Sequence, residues 1–211
     1  AIGGAFNAPF TGAFYAFELV IGTYSLTTLA PVIAAALVGV SVVRVVAPIP
    51  GPSLDIVVPA TLSPEAVLPT FVLGMIAALA GIAIMLGVTT AEKLFRRSGL
   101  PAWARPVAGG LAVRVLALAP PAVLSSGHAA LAAGIDAPYP IAFLAMLIVL
   151  KSLASAISLG SGFRGGLFFA SLLLGVLAGR LFIGTLALVF PNLSGHETLF
   201  ALVGMSSLAV S

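Results

Sequence analysis

A chain of 211 residues that is 61% hydrophobic and only 7% charged, with a mean hydropathy of +1.24, cannot cover its own surface in water, since a soluble domain usually carries about 25% charged residues. The formal net charge of +3 does not make it a nucleic-acid binder, because its nine Lys and Arg are scattered and no basic face interleaved with aromatic residues accompanies them. Zero cysteines exclude disulfides, thiolate metal sites and a cysteine nucleophile, so the composition predicts an all-α integral membrane protein set in a lipid bilayer.

A helix needs about 20 apolar residues to cross a bilayer. The chain opens on AIGGAFNAPF, without the basic region or cleavage site of a signal peptide, and closes on GMSSLAVS inside an apolar run. It is therefore expected to be an internal piece of a longer protein, one partial membrane domain over 1–211. Pro9 to Ile21 is only about two-thirds of a span and contains Glu18. Tyr24 to Val46 qualifies as a span, with Arg44 near one end where its stem can snorkel. PIPGPSLDIVVPATL is too rich in proline for a helix and is expected as a loop on the non-cytoplasmic side. Ala66 to Ala91 is the cleanest span, entered through Ser63 as N-cap with Glu65 in the first turn.

The span runs into Lys93, Arg96, Arg97 and Arg105 around Trp103, with Arg114 beyond. That is the positive-inside and interfacial-aromatic pattern of a cytoplasmic loop, expected here of a multi-pass protein in a bacterial cytoplasmic membrane. The remaining segments fit a simple span poorly. Val107 to Ala119 is short and carries Arg114, Pro140 to Leu159 contains Lys151, Leu167 to Phe190 contains Arg180, and another apolar run starts at Leu199. Lys151 and Arg180 are expected to reach carbonyls or the membrane interface. His128 and His196 stand alone, with loop or interface positions and no metal site expected of either; no cofactor is implied. Short apolar helices broken by Gly and Pro are tolerated at membrane depth only within protein or beside a watery cavity, so they point to a solute path rather than an anchor.

One stretch invites a chemical reading: GSGFRGGLFFAS, Gly160 to Ser171. Gly160, Gly162, Gly165 and Gly166 remove Cβ atoms, so the backbone around Ser161 can turn sharply and approach something small. The helix expected from about Gly166 has first-turn amides with no intrahelical partner, and with the helix dipole they form an anion site. A small anion such as chloride suits it, because several amides replace the hydration shell while a full cation in contact would hold the ion too tightly to release. The residues also allow the plainer reading that the glycines simply let helices pack closely.

GSGFRGGLFFASLLLGVLAG resembles the segment of CLC chloride channels and proton-coupled chloride transporters that carries the GxFxP signature, here Gly166-Leu167-Phe168-Phe169-Ala170. FNAPFTGAFYAFEL, Phe6 to Leu19, and PAVLSSGHAAL, Pro121 to Leu131, are similar to two more segments of that family in the same order, with His128 where tyrosine is usual. Lys151 before the glycine-rich turn is also in the family's habit. The resemblance implies a bundle of tilted, partly discontinuous helices built from inverted repeats, and a homodimer whose interface includes the helices of Ala8 to Val46. It implies transmembrane chloride transport, as a channel or by proton-coupled exchange. The anion would be held by main-chain amides at Leu167 and Phe168, within Gly166 to Phe169, with the turn from Gly160 to Gly165 beside them. Ala170 replaces the motif's proline.

Arg164, just before that turn, is a candidate for raising local anion concentration at the cytoplasmic mouth. Glu18 is a proton-pathway candidate because it is a carboxylate in an apolar helix, although Leu19 stands where proton-coupled members carry a second glutamate. A fluoride-selective relative is the alternative within transport. An enzyme is not expected: an intramembrane serine protease would need a Gly-x-Ser-Gly turn, but Leu159 stands two residues before Ser161 where its first Gly should be, and it would need a histidine on a packed helix.

Overall fold

The computed structural model describes residues 3–4, 8–17, 25–46, 64–118, 139–163, 168–193 and 195–210, and every regular element among them is helical. The chain divides into two compact units, Ala1–Leu54 and Asp55–Ser211. Among the described residues four helices are long and apolar enough to cross a membrane: Thr27–Val46, Pro64–Arg97, Ile141–Gly160 and Phe169–Ala187. The loop expected at PIPGPSLDIVVPATL, Ser63 as its cap, Glu18 and PAVLSSGHAAL with His128 all lie outside the described residues.

In the first unit, α1 (Pro9–Ala16) starts with Pro9 at N1, where a missing N–H costs nothing. Helix α2 (Leu26–Val46) is capped by Ser25, whose Oγ accepts the Thr28 N–H at 3.3 Å while the Thr28 hydroxyl donates to the Ser25 carbonyl at 3.1 Å. Arg44 sits in its last turn, where a cation complements the helix dipole. Only 6% of the apolar window of α2 is buried, and Val38, Val42 and Val45 are all exposed.

The second unit holds α3 (Pro64–Arg97), α4 (Arg105–Leu116), α5 (Ile141–Gly160), α6 (Phe168–Ala187), a 3-10 turn (Pro191–Leu193) and α7 (Glu197–Val210). Helix α3 runs past the expected Ala91 because nothing in TTAEKLFRR breaks a helix. The first residue that does is Gly99, at φ +70°, and Pro101 follows. At 34 residues it is about 51 Å long, longer than a bilayer core of about 30 Å, so its charged end lies outside the apolar layer.

Small residues set the helix directions. A Cβ on Gly160 would lie 2.6 Å from Ala91 Cβ, and one on Gly87 3.7 Å from Ala156 Cβ. Both partners advance by four residues together, so α3 and α5 run parallel. A Cβ on Gly184 would meet Ile141 Cγ1 at 3.4 Å, and Leu174 shares an apolar cluster with Ile148, so α5 and α6 are antiparallel. Helices α6 and α7 are antiparallel too, and their backbones all but touch. Cβ atoms on Gly175 and Gly179 would collide with the carbonyl oxygens of Gly204 and Phe200, and one on Gly204 with that of Gly175. This is the small-xxx-small crossing that lets membrane helices gain dispersion contacts where no hydrophobic force draws them together.

Two apolar clusters run along α6. One holds Leu73, Ile183, Leu193 and Phe200; the other holds Ala77, Leu174 and Leu208, with Ile84, Ile148 and Ala178 against it. Helix α6 is thereby the enclosed one: 56% of its apolar window is buried, against 17% in α3 and 28% in α5.

Candidate functional site

The site residues flank the end of α5 and the start of α6. Gly160 is the last residue of α5 and Ser161 its C-cap. Gly162 follows at φ +102°, a conformation that favours glycine. The Gly162 N–H donates to the Leu159 carbonyl at 3.0 Å and the Phe163 N–H to the Ser158 carbonyl at 3.3 Å, which is the Schellman pairing of a helix end. The Ser161 hydroxyl donates to the same Ser158 carbonyl at 2.8 Å. These donors serve α5, so the turn does not offer its amides to a ligand. It occupies carbonyls at the negative end of the α5 dipole instead.

Two glycines of the motif region thus do different work. Gly162 supplies the turn. Gly160 supplies a close approach, since a Cβ there would also lie 2.8 Å from the Glu92 backbone nitrogen. Ser161 is buried at 2% exposure and packs into α4, where a Cβ on Gly109 would collide with its side chain. Gly110 faces the ring of Phe163, at 3.6 Å from a built Cβ. A buried serine hydroxyl committed to a helix carbonyl is a poor nucleophile, and the protease reading has no support in its surroundings.

Phe168 opens α6 and Phe169 follows in its first turn. Arg164, Gly165, Gly166 and Leu167 lie outside the described residues. Ala170, in the place of the motif proline, is buried at 8% exposure in the first turn. Alanine is well tolerated there, since a first-turn residue needs no particular side chain to hold helical dihedrals.

The start of α6 can be placed along its neighbours by packing register. Gly184 faces Ile141 and Leu174 packs with Ile148, which sets Phe168 about three to six residues, or about 5–9 Å, short of Gly160 at the α5 end. Gly160 in turn meets Ala91, and Lys93 lies two residues, about 3 Å, beyond Ala91. Helix α6, the most enclosed of the spanning helices, therefore starts about 8–12 Å short of the basic residues of α3.

Two charges on the spanning helices were expected at carbonyls or the membrane interface. Arg180 is 8% exposed and sits 3.8 Å from Glu197 in the first turn of α7, so it pairs with a carboxylate at a helix start. Lys151 is buried at 6% exposure. That burial removes the interfacial reading, because α5 encloses the residue nine positions before its end, too far inside for the stem to reach the surface. His196 is at the N-terminal boundary of α7, its carbonyl accepting the Phe200 N–H at 3.1 Å. Sequence reasoning passed over the seam glycines Gly175, Gly179 and Gly204, although GVLAG in an apolar run carried the G-x-x-x-G signal.

The chain is similar to known proteins over nearly its whole length. The chain is 31% identical over 208 residues to the putative chloride channel protein ClcB-like of Ralstonia nicotianae, an alignment covering 97% of this chain and 47% of the relative. It is 29% identical over 205 residues to the voltage-gated ClC-type chloride channel ClcB of Escherichia coli O17:K52:H18, covering 97% of this chain and 49% of the relative. The chain spans about half the length of these curated relatives. The family model described as voltage gated chloride channel matches residues 1–211. A chain whose described elements are all helices, with four of them long and apolar enough to cross a membrane and a family match from its first residue to its last, is an integral membrane protein that belongs to the voltage gated chloride channel family.

Proposed function

We propose that the full-length protein carries chloride or a similar small anion across a bacterial cytoplasmic membrane, and that this chain supplies part of the anion site at the start of α6. What supports this reading is that α6, the most enclosed helix, starts about 8–12 Å short of the basic end of α3. An anion at that depth has lost much of its water, and main-chain amides plus the positive end of the helix dipole replace the shell without the grip of a full cation. The amides of Leu167 and Phe168 are the proposed donors, within the segment Gly166 to Phe169. The Gly160–Gly162 turn supports the site by tying up the α5 carbonyls.

Arg164 is proposed to act through its field at the cytoplasmic mouth, raising anion concentration without touching the bound ion. Leu19 after Glu18 favours a passive channel over proton-coupled exchange, with Glu18 in a structural role. The exposed apolar face of α2 supports a homodimer through the Ala8–Val46 helices. The two units together form one part of the larger membrane domain.

Anion efflux from liposomes holding the complete protein tests the reading. Chloride efflux well above empty liposomes is expected, and an amide-to-ester replacement at Phe168 should weaken anion binding while replacement of the Leu167 side chain by alanine should not. No flux of chloride, nitrate or fluoride above background would refute transport; fluoride flux without chloride flux would assign the alternative selectivity. Arg164→Gln should lower flux at low salt more than at high salt, and a flux unchanged at both would remove Arg164 from the mechanism.

A further inference from the structure

We propose that the basic end of α3 and the α3–α4 turn form a binding site for an anionic phospholipid, its acyl chain on α3 and its phosphate between Lys93 and Arg97. The inference rests on the chain's place in a membrane and is independent of which solute is transported.

One face of α3 carries both halves of the site. Leu79, Ile82 and Leu86 are 66%, 59% and 61% exposed, and the same face continues at three- and four-residue steps through Thr89 and Thr90 to Lys93 and Arg97. The two threonines do not interrupt the apolar track, because both hydroxyls donate back to the Leu86 carbonyl, at 3.0 and 2.6 Å. Ten residues back from Lys93 span about 15 Å, the thickness of one leaflet's hydrocarbon, about half of a 30 Å core. An acyl chain can follow the track for its whole length while the headgroup stays at the cations.

The charge at the end is unbalanced. Between positions 92 and 105 stand Lys93, Arg96, Arg97 and Arg105 against a single acid, Glu92. Glu92 pairs with Arg96 at 2.8 Å, which leaves the excess on Lys93, Arg97 and Arg105. The Arg105 Nε–H donates to the Leu100 carbonyl at 3.0 Å, and this holds its guanidinium against the turn rather than loose in solvent. Trp103, 78% exposed, stands in that turn, where an indole takes the headgroup level of a bilayer. Cations, an anchored indole and an apolar track of leaflet length match a lipid with a phosphate charge and a long tail. A zwitterionic headgroup, whose own ammonium opposes these cations, fits less well.

Trp103 is the one tryptophan of these 211 residues, and it reports on the site. The full-length protein is placed in phosphatidylcholine bilayers with increasing mole fractions of brominated-acyl phosphatidylglycerol. Emission of the Trp103→Phe protein is subtracted, so that tryptophans elsewhere in the full chain cancel. We expect quenching at roughly ten-fold lower mole fraction with brominated phosphatidylglycerol than with brominated phosphatidylcholine. Each basic side chain near an anionic surface contributes about five-fold, so the exposed-surface variant Lys93→Gln/Arg97→Gln should lose most of that preference while its phosphatidylcholine curve stays put. Equal curves for the two lipids in the unmodified protein, or an undiminished preference in the double variant, would overturn the proposal. So would an emission that neither lipid quenches, the result expected if an acidic segment of the protein covers the patch.

Discussion

The seam between α6 and α7 makes a prediction whose sign depends on position alone. In Gly179→Ala the new Cβ would lie 2.6 Å from the Phe200 carbonyl carbon and 3.0 Å from the Ala201 Cα, besides colliding with the Phe200 oxygen. These are backbone atoms, so no side chain can rotate away. Restoring ordinary carbon contact requires the helices to separate by about 1 Å, and a gap of that size forfeits about a quarter to a half of each dispersion contact it opens. Overpacking of this kind costs about 1–3 kcal/mol, and the better helix propensity of alanine returns at most about 1 kcal/mol. Gly179→Ala is therefore expected to destabilise the protein by a net ~1–2 kcal/mol. Gly74→Ala is the matched control. It lies in α3 with nothing within 4 Å of a built Cβ, so the same change should be neutral or stabilising by up to about 1 kcal/mol. Reversible unfolding of the full-length protein in mixed micelles measures both. If the two variants moved stability in the same direction by similar amounts, close backbone packing would not be what holds α6 against α7. Because α6 carries the proposed anion site, Gly179→Ala should also lower anion flux, whereas Gly74→Ala should leave it unchanged.

Gly162→Ala places a Cβ on a residue at φ +102° and should cost about 1–2 kcal/mol, with Gly162→Asn costing less; equal melting temperatures for the two variants would contradict the turn assigned here. Gly109→Ala should clash with the Ser161 side chain, and Ser161→Gly should relieve it, so a double-mutant cycle is expected to show a coupling of at least about 1 kcal/mol; additivity would mean that α4 does not pack on the α5 cap. Glu197→Gln removes the partner of Arg180 but acts on a carboxylate that is 60% exposed, so a thermal-stability loss under about 1 kcal/mol is expected, shrinking further in 1 M salt. A loss that salt leaves unchanged would show that the pairing is not what Glu197 contributes.

Much of this protein was legible as sequence because the bilayer is a strict solvent. Runs near 20 apolar residues must be helices that satisfy their own backbone, so the spans at Tyr24 to Val46 and Ala66 to Ala91 were found close to α2 and α3, whereas Pro140 to Leu159 and Leu167 to Phe190, read as poor spans for their Lys151 and Arg180, hold helices long and apolar enough to cross. The glycine turn after α5 was legible for a local reason, and Gly162 supplies it; the α3 end was not, since the helix runs past Ala91 to Arg97 before Gly99 and Pro101 stop it. The family was legible in three short segments, and the match over 1–211 bears that out.

Only the tertiary structure decided which glycine does what. GSGFRGG reads as one flexible turn, yet Gly160 is helical and sits against a neighbouring backbone with no room for a Cβ, while Gly162, the other described glycine of the stretch, takes a positive φ. Composition also cannot rank spans by enclosure, because lipid and protein interior are equally apolar. The windows of α2 and α6 have similar hydropathies, 2.3 and 1.9, yet 6% of one and 56% of the other is buried. Nor can local sequence give depth. The set-back start of α6 follows from Gly184 meeting Ile141 and Leu174 packing with Ile148, residues far apart in sequence and joined only by how the helices pack. The sequence by itself determined the solvent, the helices and the family; packing determined which helix is enclosed and where along its neighbours it starts, because those depend on contacts between residues far apart in the chain.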